Sequence, residues 1–151
     1  MRKISANYIF PVICPPLKNG IISFSDDGRI LEVIDTKGKL KEIASLEFYN
    51  GIIIPGILFS GNPAIDYKDD NIHILIQNYI KEAKYLNDKL EFQSWLYKLT
   101  IEKARKLDID KIYGSIEPEK NPGLLLLNNF NFQTMNISEN TNIKILVPCM
   151  I

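Results

Sequence analysis

Asn50-Gly51-Ile52-Ile53-Ile54-Pro55-Gly56 decides how this chain is read. Three β-branched isoleucines in a row favour extended backbone, and the Pro-Gly pair that follows stops it with a turn. With Leu46-Glu47-Phe48-Tyr49 in front, the segment reads as one strand or two short ones. Upstream the signals are also of β type. Tyr8 to Ile13 is an apolar run, and Gly20–Ser25 and Arg29–Asp35 flank Asp26-Asp27-Gly28, an Asp-Gly hairpin signal that exploits glycine's tolerance of positive φ. Lys37-Gly38-Lys39 is a second polar turn.

Downstream the period changes. Ile72, Leu75, Ile76, Tyr79, Ile80, Ala83 and Leu86 recur at three- and four-residue steps, which predicts an amphipathic helix over 71–86. Asp88 and Glu91 have capping-box spacing ahead of a second helix. That helix is lined by Phe92, Trp95, Leu96, Leu99 and Leu107 and ends at Asp108-Ile109-Asp110. The last third returns to strands, with Gly114–Pro118 as a tight connection, Gly123–Leu127 as a short buried strand, then Phe130-Asn131-Phe132 and Ile143–Val147. Strands, two helices, strands is the order of an α+β domain whose termini share one sheet system.

The 151 residues suit a single domain, divided as 1–60 (N-terminal strands), 61–110 (linker and helices) and 111–151 (C-terminal strands). Eighteen basic residues balance eighteen acidic ones, so the composition gives no basis for capture of nucleic acid or of an anionic membrane surface. No apolar core of a leader follows Arg2-Lys3, and the uncharged run Gly51–Phe59 is far short of the ~20 residues of a span. Cys14 and Cys149 read as two free thiols in a reducing cytoplasm.

Residue types alone reveal no catalytic set and call for no cofactor. The single histidine, His73, reads as a helix-start residue rather than a ligand. Asp66, Asp69 and Asp70 form an acidic cluster that matches no calcium loop, and it reads as a solvated turn with Asp70 as helix cap. Ser60 lacks the Gly-x-Ser-x-Gly elbow, and the glycines at 51, 56 and 61 are followed by no Lys-Ser/Thr. Trp95 reads as core. The ligand stays unassigned, and a pocket is expected near Tyr67, Tyr79 and Trp95 if anywhere.

Two segments resemble the metal-dependent amidohydrolase superfamily, in particular its cytosine-deaminase and chlorohydrolase-like branch. One runs over 20–60, with Gly20-Ile21-Ile22, Asp27-Gly28-Arg29-Ile30 and Asn50–Gly56. The other runs over 91–127, with Trp95, Thr100, Ala104 and Tyr113-Gly114-Ser115-Ile116-Glu117-Pro118-Glu119-Lys120. The resemblance implies a small β-sandwich built from both chain ends. In the family it implies metal-dependent hydrolysis of C–N bonds as well. A His-x-His pair that binds the metal follows the family's Pro-Gly, and the corresponding positions here hold Gly61 and Pro63. Asp66 is the one candidate for the family's late metal-binding aspartate, and one carboxylate does not retain a catalytic zinc. The 30 residues from Gly61 to Leu90 stand where the family places most of a barrel of about 250. The expectation is therefore an amidohydrolase-related composite domain with about two inserted helices and no barrel, non-catalytic, with a structural or binding role. Its former barrel-facing surface would be covered by a second copy or a protein partner. The alternative is a metal-dependent hydrolase of the family type.

Overall fold

The computed structural model describes residues 1–40, 43–83 and 89–150. Seven strands are described: β1 (Arg2–Ile9), β2 (Leu17–Lys18), β3 (Ile21–Phe24), β4 (Ile30–Ile34), β5 (Leu46–Pro55), β6 (Leu124–Asn128) and β7 (Asn142–Val147). Between β5 and β6 lie α1 (Pro63–Asp66), α2 (Ile72–Ala83), α3 (Lys89–Leu99) and α4 (Ile101–Lys106). The chain is thus α+β, with strands from both ends of the sequence in one sheet.

The sheet order is β4-β3-β1-β5-β6-β7, with β2 paired to the far part of β1. β1 and β5 run parallel, and every other pair is antiparallel. β1 is a central strand, although the sequence signals begin only at Tyr8. Ser5 is polar yet fully buried, because its hydroxyl donates to the Gly20 carbonyl at 2.7 Å. A buried hydroxyl with a partner costs little, and that partner lies just ahead of β3, where local patterning does not reach.

The expected sandwich takes the form of one continuous sheet that folds over itself. Laid flat, β4 and β7 would lie about 24 Å apart at ordinary strand spacing. Instead the β3–β4 turn reaches β7, and a Cβ added at Gly28 would come within 3.0 Å of Val147 Cγ1. The 117–123 segment ties the curl. Ile30 N–H donates to Lys120 O and accepts at its own carbonyl from Glu119 N–H, both at 2.9 Å. The Asn121 side chain donates to Asp27 O at 2.7 Å.

Two cores result. The concave face encloses Ile4, Ile9, Ile22, Phe24, Ile30, Ile53, Leu124, Leu126 and Val147. The other face, with Phe10, Ile52, Ile54, Leu125 and Leu127, is covered by Ile72, Ile76, Ile80 and Ala83 of α2 and by Phe92 and Leu96 of α3. Leu75, counted on the apolar face of the first helix, is instead 40% exposed, and Leu86 and Asp88 lie outside the described residues.

The second helix is broken, contrary to the single one expected through Leu107. Leu99's carbonyl would accept from residue 103 in an unbroken helix. It accepts instead from Leu58 N–H at 3.0 Å, while Thr100 Oγ1 donates back to Leu96 O at 2.6 Å. The loop after β5 therefore docks into the break, and Leu107 ends 38% exposed.

Candidate functional site

β5 ends against a tight junction. Gly56 N–H faces the carbonyls of Pro122 and Gly123, each at 3.2 Å, and a Cβ there would sit 2.7 Å from Cys149 Sγ. Beyond it, Ile57 O accepts from the buried Tyr67 hydroxyl at 2.8 Å. Ser60 donates twice to Asp66 Oδ2, from its backbone N–H at 3.1 Å and from Oγ at 2.6 Å. Asn62 caps α1 with Pro63 at its first position, where a missing N–H is no loss. The α1 turn was read from sequence as loop.

Gly61, Pro63 and Asp66 thus lie within one short turn. Gly61 has open space around the position of its absent Cβ, and Pro63 is buried as a helix start. Asp66 holds the turn closed through Ser60. Among the described residues no three His, Cys, Asp or Glu side chains converge as a metal site.

Asp69, rather than Asp70, organises the start of α2: its carboxylate accepts from Asn71 N–H at 2.8 Å and its carbonyl from Ile72 N–H at 3.1 Å. His73 begins α2 as read, and its Nε2 lies 3.1 Å from Ile143 O. A carbonyl only accepts, so that nitrogen carries the proton. One turn on, both ends of the Gln77 carboxamide are engaged at the start of β7: Nε2 donates to Thr141 O at 3.2 Å, and Oε1 accepts from Ile143 N–H at 3.1 Å. The carboxamide takes the place of a neighbouring strand.

Tyr67, Tyr79 and Trp95 do not share a pocket. Tyr67 is buried, Tyr79 packs edge-on to Phe59 at 5.0 Å, and Trp95 stacks on Phe92 at 5.8 Å. A nearby cavity of about 300 Å³ is lined by Phe59, Ile72 and Leu75 with Asp66 and Asp69, and by none of those three rings. Burial pushes the Cys149 thiol far up, and the thiol donates to Pro122 O at 3.1 Å. Burial raises the Tyr67 hydroxyl as well, with Cys149 adding to it. The pair is neutral at physiological pH and serves packing.

A larger concavity lies elsewhere, between residues 11–16 with β2, the end of β4 and residues 116–118, with a volume of about 770 Å³. Its walls are Pro11, Ile13, Pro16, Leu17, Val33 and Ile116. Cys14, Asp35, Lys37 and Glu117 supply polar groups at its margin. Burial, then Asp35 and Glu117, raise the Cys14 thiol, so it is no activated nucleophile. Burial also acts to raise Glu117, but hydrogen bonds from Lys120 and Ser115 and the Lys120 charge outweigh it and hold the carboxyl below its usual value. Lys120 Nζ lies 2.7 Å from both Glu117 Oε2 and Ser115 Oγ, which fixes this wall. Apolar walls with a few marginal polar groups are the general make-up of a small-ligand site. In the sequence the only trace was Pro15-Pro16, read as an interruption.

No family model matches the chain, and no curated protein matches it. Among solved structures it is similar to Helicobacter pylori aminofutalosine deaminase in complex with methylthio-coformycin, at 14% identity and a TM-score of 0.30. The match covers 74% of this chain and 40% of that one, so the chain spans well under half of that enzyme's length. The relation to a deaminase is distant and carries no argument about activity. Among the described residues no helix is long and apolar enough to cross a membrane.

Proposed function

We propose that this chain is a non-catalytic binding domain related to the metal-dependent amidohydrolases, retaining their composite terminal sheet without a barrel. One observation carries the reading. By the count from Pro55-Gly56, Gly61 and Pro63 stand at the positions the resemblance gives to two imidazoles, and the nearby carboxylate of Asp66 is already engaged by Ser60. Metal-assisted hydrolysis needs ligands that hold the ion with an open position for water, together with a base, and this turn offers neither. The 770 Å³ cleft beside Cys14 supports the binding role. The chain works in the cytoplasm, where Cys14 and Cys149 stay reduced, and pairs with a second copy through the exposed Ile65 and Ile74 on α1 and α2.

The test is elemental analysis of the purified protein for Zn, Fe and Mn, joined to an ammonia-release assay on cytosine and on cyclic amidines after loading with each metal. The expected result is substoichiometric metal and no turnover. One metal bound per chain with ammonia released above the metal-only blank would overturn the reading.

A further inference from the structure

A different concavity, of about 500 Å³, opens at the Gly51 end of the sheet, where β1, β5, β6 and β7 come together. Five asparagines line it: Asn7, Asn50, Asn128, Asn129 and Asn142. No charged side chain does. Four segments, β1, β5, the end of β6 and the start of β7, deliver the same functional group to one place, and a carboxamide offers a donor and an acceptor side by side.

Part of that capacity is spent on building the pocket. Asn7 sits at the register shift between β1 and β5, and its Oδ1 accepts from Gly51 N–H at 2.7 Å. Bulges of this kind turn side chains out of the ladder and recur beside functional sites. Gly51, at φ 136°, lets β5 approach the Leu127 carbonyl so closely that a Cβ would collide with it. Asn128 Nδ2 donates to Asn142 Oδ1 and Asn129 Nδ2 donates to Asn140 O, each at 3.2 Å. Among the described residues this leaves Asn7 Nδ2, Asn128 Oδ1, Asn129 Oδ1, Asn142 Nδ2 and both amide atoms of Asn50 without a protein partner. Both donors and acceptors are therefore available in the pocket.

An aromatic wall completes it. Phe132 remains 38% exposed yet is braced by Tyr8, stacked at 5.9 Å, and by Phe130, edge-on at 5.7 Å. A held ring with a free face accepts weakly polarised C–H groups against its negative π surface. A ligand complementary to this pocket is neutral, has hydroxyls that each both donate and accept, and presents a flat C–H face. We propose that the pocket binds a neutral oligosaccharide, with Asn50, Asn128 and Asn142 reading adjacent hydroxyls and Phe132 stacking on one sugar ring. The proposal is separate from the cleft beside Cys14 and from the question of catalysis.

The test is ¹⁵N-edited NMR of the full chain titrated with millimolar maltotriose, cellotriose and chitotriose, followed through the asparagine side-chain amide signals. At least one trisaccharide is expected to shift the amide signals of Asn50 and Asn142 saturably. F132A and, separately, N50A should weaken that binding by about tenfold. N50A alters an exposed side chain that no core contact needs, so it keeps the test valid if F132A fails to fold. No saturable shift with any of the three would overturn the proposal, as would tighter binding of an anionic trigalacturonate or undiminished binding by a folded N50A.

Discussion

The two faces of the sheet are closed by different means. One is covered by a separate stretch of chain, the helices between β5 and β6, and is rich in rings: Phe10, Phe92 and Phe130 meet pairwise at 5.2 to 6.3 Å, with Tyr67, Tyr113 and Trp95 around them. The other is covered by the sheet's own curl and is mostly aliphatic, with Phe24 as its buried ring and the half-buried Tyr49 packed against it. The first closure depends on side-chain volume, and the second depends on backbone that can turn sharply at Gly28.

Removing volume from the ring-rich face should have the largest effect. Phe92 is fully buried and touches Phe10, Phe130 and Trp95. Phe92→Ala is expected to cost about 3–5 kcal/mol in urea unfolding, and a loss below that of the next substitution would remove the distinction between the faces. Gly28→Ala puts a side chain at φ 86° against Asn121 Oδ1 and Met150 Cε, both flexible neighbours. We expect a loss of about 1–2 kcal/mol, with amide exchange rising first in β3 and β4 rather than in α2. The smallest effect belongs to the place where the helix layer meets the sheet edge. Gln77→Ala strips the carboxamide from Thr141 and Ile143 and should cost about 1 kcal/mol. It should also raise the light scattering of concentrated protein, because an uncovered edge recruits other strands; Gln77→Glu, which keeps only the acceptor for Ile143 N–H, should fall between.

Much of this was legible in the residues. Asp26-Asp27-Gly28 announced its hairpin, Gly51–Gly56 its strand end, and the 72–83 spacing its helix, because each signal is local. What escaped was tertiary. Ser5 and Asn7 interrupt any strand pattern before Tyr8, and their partners, Gly20 and Gly51, lie elsewhere in the chain. The break at Thr100 is set by Leu58, some forty residues earlier. Gly61 and Pro63 gain meaning only beside the amidohydrolase pattern. The asparagine pocket was invisible because Asn7, Asn50, Asn128 and Asn142 each read as ordinary turn or strand-end residues, and only the sheet order gathers them.

The position of β5 also orders events in time. Its parallel neighbour β1 has been made by the time β5 appears, but β6 lies some seventy residues further on. At ribosomal rates of about 5–20 residues per second, a growing chain holds Ile52, Ile53 and Ile54 beside an empty strand position for several seconds. The sheet is complete only once residues 124–147 arrive. Refolding of the full chain, free of that delay, should still be slowed by the distance between β5 and β6 in sequence.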